Sequence, residues 1–145
     1  MKILVLHGPN LNLLGEREIN YYGHHTLEEI NTSLHTFVQG KNIELITRQY
    51  NHEGQLIDII HDMRHAASGI LINPGAFSHT SVALHDALKI FKGPIVEVHL
   101  SQPLQREEFR STLLTAKACS GVILGFGWQS YILGLEALIY EIQKK

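Results

Sequence analysis

Hydrophobic positions along this chain fall into two alternating rhythms. The first is the short unbroken apolar run. Lys2–His7, Asn42–Gln49, Gly69–Asn73, Ile95–Leu100 and Gly121–Phe126 have it, and each predicts a β-strand. The second is helical spacing. Leu27, Ile30, Leu34, Phe37 and Val38 form one stripe, opened by Thr26 with Glu29 three residues on and closed near Gly40. Leu56, Ile59, Ile60 and Met63 form the next. Ser81–Ile90 carries Val82, Leu84, Ala87 and Leu88 on its apolar side. Gln129–Lys145 carries Leu135, Leu138, Ile139 and Ile142.

Strands that are apolar throughout need cover on both faces, and helices between them supply it. The alternation therefore predicts an α/β protein with a five-stranded parallel sheet and helices on both faces. A doubly wound sheet of five strands fits the flavodoxin-like order 2-1-3-4-5. No repeat or linker divides the chain, so residues 1–145 are expected to form a single domain. One segment has no period: the 18 residues from Gly8 to His25. A connection of that length is usually a functional lid or a floppy insertion. Because it carries Arg17 and Tyr22, a lid at about residues 15–25 is the reading adopted.

Ligands in open α/β sheets bind outside the carboxyl ends of the strands. That rule selects Asn10 after the first strand and Asn73, Ser78, His79 and Ser81 after the third. It selects Glu97, His99, Leu100, Ser101, Arg106 and Arg110 at and after the fourth. The arginines favour an anionic ligand, because the guanidinium fork matches carboxylate and phosphate. Other readings stay open. Asn73-Pro74-Gly75 is also a good turn, Ser78 or Ser81 a good helix cap, and Arg106 and Arg110 beside two glutamates a solvated face. Glu97 and His99 lie two apart on a strand, so both side chains share one face and the carboxylate can orient the imidazole.

Composition narrows the function. Twelve Lys and Arg against 14 Asp and Glu leave a net charge of −2, without the basic excess that a nucleic-acid or membrane binder would show. A single cysteine, Cys119, excludes an intrachain disulfide and a cysteine metal cluster, and reads as a small buried apolar residue. No signal peptide or membrane span is legible, so a cytoplasmic location is expected. His61 and His65 have zincin spacing but lack its glutamate, and Gly125-Phe126-Gly127 follows the last strand rather than the first. No phosphate-binding P-loop or nucleophile elbow occurs.

The strand-end motifs are together distinctive. His7-Gly8-Pro9-Asn10-Leu11-Asn12-Leu13-Leu14-Gly15, Arg17-Glu18 and Tyr22-Gly23 come first. Asn51-His52-Glu53-Gly54, Asn73-Pro74-Gly75-Ala76 and His79-Thr80-Ser81-Val82 follow, then Glu97-Val98-His99-Leu100-Ser101 and Arg106-Glu107-Glu108-Phe109-Arg110. In order and spacing this series resembles type II 3-dehydroquinate dehydratase over essentially the whole chain. The resemblance implies a flavodoxin-like fold and a dodecamer built as a tetramer of trimers. It implies anti elimination of water from 3-dehydroquinate through an enolate, in aromatic amino acid biosynthesis by the shikimate pathway, with no metal or other cofactor. By the same resemblance, Tyr22 would be the base, Arg17 would hold it as phenolate, and Asn10 would help stabilise the enolate. His99 would be the acid, oriented by Glu97. Asn73 and the backbone amides of Leu100 and Ser101 would hold the substrate carboxylate, and His79 and Arg110 the ring hydroxyls. Arg106 and Asp86 match positions near the site, Asp86 reaching in from a neighbouring subunit.

The roles are energetically reasonable. A free phenol titrates near ~10, so a tyrosine base at neutral pH needs about 4 kcal/mol of help. One guanidinium at about 4 Å supplies that much at an effective dielectric near ~20. The chain departs from the family at Ile19, at Tyr21 beside Tyr22, at Gln102-Pro103-Leu104-Gln105 and over Ser111–Lys117. Tyr21 is a rival for the base. A non-catalytic module that binds a small anion on the same fold is the alternative function.

Overall fold

The computed structural model describes residues 1–144; the last predicted helical residue, Lys145, lies outside the described residues. Five parallel strands, β1 (Lys2–His7), β2 (Glu44–Gln49), β3 (Gly69–Asn73), β4 (Ile95–His99) and β5 (Gly121–Leu124), lie in the order β2-β1-β3-β4-β5. The predicted order is therefore observed. Register is continuous along the middle of the sheet, with His7 beside Asn73 and Ile72 beside Glu97. Helices α1 (Ile19–Tyr22), α2 (Leu27–Val38), α3 (Glu53–Met63), α4 (Phe77–Thr80), α5 (Val82–Ile90) and α6 (Gln129–Gln143) connect and cover them. Among the described residues, no helix is long and apolar enough to cross a membrane.

Alternation along each strand divides the core into two layers. Ile3 and Val5 of β1, Leu71 of β3 and Val96 and Val98 of β4 point toward Ile30, Leu34 and Val38 of α2 and Leu135 and Leu138 of α6. Leu4 and Leu6, Ile70 and Ile72 point the other way, toward Leu56 and Ile60 of α3 and Leu84, Ala87 and Leu88 of α5. Both faces of β1 are thus buried, which is why its sequence shows no polar alternation. Thr26 begins α2 as its residue type predicts: its hydroxyl accepts the Glu29 backbone N–H at 3.2 Å. Ser81 does the same for α5, accepting from Leu84 at 2.8 Å.

This topology creates the crevice. From β1 the chain passes through α2 to β2 on one side, and returns through α3 on the opposite face to β3. The carboxyl ends of β1 and β3 are neighbours whose connections leave in opposite directions, and the space between them is open to a ligand. The aperiodic stretch after β1 is ordered as a short 3-10 turn, Leu11–Leu13, and the four-residue α1. It folds back over that crevice.

Candidate active site

A cavity of about 130 Å³ lies at the carboxyl edge of β1, β3 and β4, closed on one side by Arg17 and Tyr22. A cavity of this size suits a small ring and not a dinucleotide. Among the described residues, no three His, Cys, Asp or Glu side chains are grouped as a metal ion would require.

From β1, Asn10 enters the cavity in the left-handed conformation, with φ at 68°, which asparagine tolerates better than most residues. Its backbone N–H donates to Asn51 Oδ1 at 3.0 Å. Gln49 Nε2 donates to the same oxygen and to the Gly8 carbonyl, both at 3.0 Å. The end of β2 therefore pins the turn that presents Asn10. Asn51 sits where the strand-end rule applies, and that rule could have selected it.

From the lid, Tyr22 is 8% exposed and its hydroxyl accepts a hydrogen bond from Arg106 Nη1 at 2.8 Å. The family resemblance implies that charge for Arg17. Arg17 instead lies over the face of the Tyr22 ring, its guanidinium carbon 4.0 Å from the centroid. The two arginines thus flank one phenol, one at the oxygen and one at the ring. Arg106 also donates to Ser101 Oγ at 3.2 Å, and its Nε is buried without a hydrogen-bond partner among the described residues. Tyr21 is 45% exposed, does not line this cavity, and stacks on the outer side of Arg106.

From β4, the pairing expected of Glu97 and His99 is made: His99 Nε2 lies 2.8 Å from Glu97 Oε2. Glu97 is fully buried, and two hydroxyls hold the rest of its carboxylate. Ser78 donates to Oε2 at 2.9 Å and Thr115 to Oε1 at 2.5 Å. A carboxylate holding these three donors is anchored, which turns His99 so that Nδ1 is the nitrogen left for the cavity. The strand-end rule selects Ser78 and misses Thr115. Ser78 looked like a helix cap, a task that falls to Ser81, and Thr115 lies in a segment with no period to mark its direction. Cys119 is part-buried and donates to the Thr115 carbonyl at 3.3 Å; burial pushes its thiol well above the ordinary range.

The 111–117 segment touches the site twice. His79 Nδ1 lies 2.9 Å from the Thr112 carbonyl, so it must be the N–H donor. The ring stands 6.3 Å from that of His99. Burial lowers the His79 pKa, the Thr112 bond works against that, and the nearby His99 and Arg110 lower it further. Asn73, at the end of β3, is 2% exposed and faces the cavity, and its Oδ1 accepts the Gly75 N–H at 3.1 Å. Gly75 has φ at 58°, and a Cβ there would press on Pro9 at 3.2 Å. Leu100, Ser101 and Arg110 complete the wall, Arg110 tied to Glu107 at 2.6 Å. Asp86 is the exception. It lies exposed on α5, paired with His85 at 2.9 Å, outside its own chain's cavity.

Comparison with known proteins places the sequence and the fold in one family. Residues 1–139 match the family described as Dehydroquinase class II. A 3-dehydroquinate dehydratase of Carboxydothermus hydrogenoformans is 54% identical over 145 residues, all of this chain and 94% of that protein. One of Roseiflexus castenholzii is 50% identical over 96% of this chain and 88% of that protein. The crystal structure of type II dehydroquinase from Butyrivibrio crossotus superposes with a TM-score of 0.93. It is 43% identical and covers 96% of this chain and 97% of its own. Motifs, sheet order and site geometry converge with these matches: the chain belongs to the class II dehydroquinase family.

Proposed function

We propose that this chain removes water from 3-dehydroquinate to give 3-dehydroshikimate, with no metal or other cofactor. The observation that carries the proposal is the convergence, around one small cavity, of a phenol between two guanidiniums, an imidazole backed by a buried carboxylate, and two amides.

Tyr22, as phenolate, takes the proton from the carbon next to the substrate ketone. The electron pair moves onto the ketone oxygen, and the Asn10 amide, through a water, stabilises the enolate. The enolate then collapses: the carbonyl re-forms, a carbon–carbon double bond forms, and the hydroxyl beyond it leaves. His99 Nδ1–H supplies the proton that makes it water, and Glu97 steadies the ring. One water is lost, Tyr22 ends protonated and His99 neutral, and exchange with solvent restores both. Asn73 and the amides of Leu100 and Ser101 hold the carboxylate, and His79 and Arg110 hold ring hydroxyls. Burial of the hydroxyl against Arg106 supports Tyr22 over Tyr21 as the base. Residues 1–145 act as one catalytic domain with residues 15–25 as its lid. We further propose a cytoplasmic homododecamer, a tetramer of trimers. Asp86 faces away from its own cavity, so the role implied for it requires a neighbouring copy.

The test is direct. Metal-free protein mixed with 3-dehydroquinate should give the ultraviolet absorbance of the conjugated product. Tyr22→Phe and His99→Ala should each lower kcat by about 10²–10⁴-fold, and Tyr21→Phe should stay within a few-fold of the parent. Loss of turnover in Tyr21→Phe alone would reassign the base. A folded parent protein that binds the compound without turning it over would leave the anion-binding module as the function.

A further inference from the structure

The lid carries two adjacent tyrosines, and the mechanism uses only Tyr22. Their rings stand 6.2 Å apart, edge to face. The Arg106 guanidinium meets both: its carbon lies 4.1 Å from the Tyr21 centroid and 5.2 Å from the Tyr22 centroid. Arg17 covers the Tyr22 ring at 4.0 Å. Contact by contact, rings and cations alternate: Tyr21, Arg106, Tyr22, Arg17. Tyr21 is also a position at which the chain departs from its family pattern.

Hydrogen bonds alone do not fix Arg106. Its side chain is 6% exposed, yet its hydrogen bonds among the described residues leave from one atom. Nη1 donates to the Tyr22 hydroxyl at 2.8 Å and to Ser101 Oγ at 3.2 Å. Nε is buried with no hydrogen-bond partner. The Glu107 carboxylate stands 3.9 Å from Nε and is engaged by Arg110 at 2.6 Å. A planar fork tied at one corner is free to pivot about it. Beside it opens a groove lined by Tyr21, Gln102, Gln105 and Arg106, which would admit water to the pivoting group. The ring of Tyr21 is what stands against the guanidinium there.

We propose that Tyr21 is the positioning residue for Arg106, its ring face holding the guanidinium against the Tyr22 hydroxyl. An aromatic face carries negative potential, and a guanidinium stacked on it keeps all its in-plane donors free. Nη1 therefore stays on the phenol oxygen. Without the ring the fork swings toward the groove, and the phenolate loses one of its two cations. This inference rests on the reading that Tyr22 is the base. Tyr21 does not line the cavity, so its loss lowers kcat and leaves KM nearly unchanged.

The experiment follows 3-dehydroquinate turnover at pH 7 with Phe, pentafluorophenylalanine or Leu in place of Tyr21. Tyr21→Phe keeps the negative ring face and should keep kcat within a few-fold of the parent. The pentafluorinated ring has nearly the same shape with its face potential reversed, so it should lower kcat about tenfold with KM within about threefold. Tyr21→Leu should lose as much. In an Arg106→Ala background, all four side chains at position 21 should give the same residual kcat within about twofold. Equal activity of the Phe and pentafluorinated proteins would make Tyr21 mere packing and overturn the proposal, while the loss in Tyr22→Phe would still uphold the base. A loss that persists without Arg106 overturns it too. An active Tyr22→Phe overturns the reading of the base first, and the inference with it. If Arg106→Ala fails to fold, the Phe and pentafluorinated pair decides by itself.

Discussion

A buried imidazole leaves a mark on stability that can be read without substrate. His7 titrates near 6.5 when unfolded and at about 4 when folded, because burial disfavours its cation. Above pH 6.5 it is neutral in both states and costs nothing. Between pH 6.5 and 4 the unfolded chain binds a proton that the folded chain refuses, so stability falls as pH falls. The gap is worth roughly 3 kcal/mol at full extent. Urea unfolding at pH 7 and pH 4.5 should show the loss, and His7→Gln should show a smaller loss between the same two pH values. Equal losses in both proteins would mean that other groups carry the acid sensitivity. Legibility at this scale followed geometry. Glu97 and His99 could be paired from the sequence because a strand places residues two apart on one face. Thr115 could not, because what brings it to Glu97 is the tertiary path of a segment with no period.

At the scale of elements, the apolar runs located all five strands, and the errors were at their ends. β2 begins at Glu44 rather than Asn42, since Asn42 has φ at 55° and cannot continue a strand. β5 stops at Leu124 rather than Phe126, since Gly125 turns the chain with φ at 89°. α1 and α4 went unseen because four residues make barely one turn, too few for a helical period. The packing of α6 was also hidden, although it depends on one residue. A Cβ on Gly134 would stand 2.4 Å from Val98 Cγ1 and 3.0 Å from Leu71 Cδ1, so glycine lets the helix seat directly on β3 and β4. Gly134→Ala gains about 1 kcal/mol in helix propensity and costs about 1–3 in overpacking. The expected net loss is about 1 kcal/mol in chemical unfolding. A stabilised variant would show that the helix can lift without cost.

For the whole molecule, the sheet ends in a four-residue strand whose outer edge has no strand beside it among the described residues, and Phe109 and Phe126 are well exposed. An open edge and exposed aromatic rings are what subunit contact would cover. Sedimentation of the active protein tests the proposed dodecamer, which would give a mass twelve times that of one chain. A fully active single chain would remove both the dodecamer and any part for a neighbour's Asp86.

Where α6 packs on β1, His7 Nδ1 lies 2.7 Å from the Tyr131 hydroxyl, a contact that spans 124 residues and so ties the first strand to the last helix. At ordinary elongation rates of roughly 5–20 residues per second, His7 is made roughly 6–25 s before its partner. During that interval the central strand carries a histidine whose burying partner does not yet exist. The core behind β1 is thus finished last, by the arrival of α6. A chain truncated before Tyr131 would carry every strand and still lack the partner that buries its central histidine.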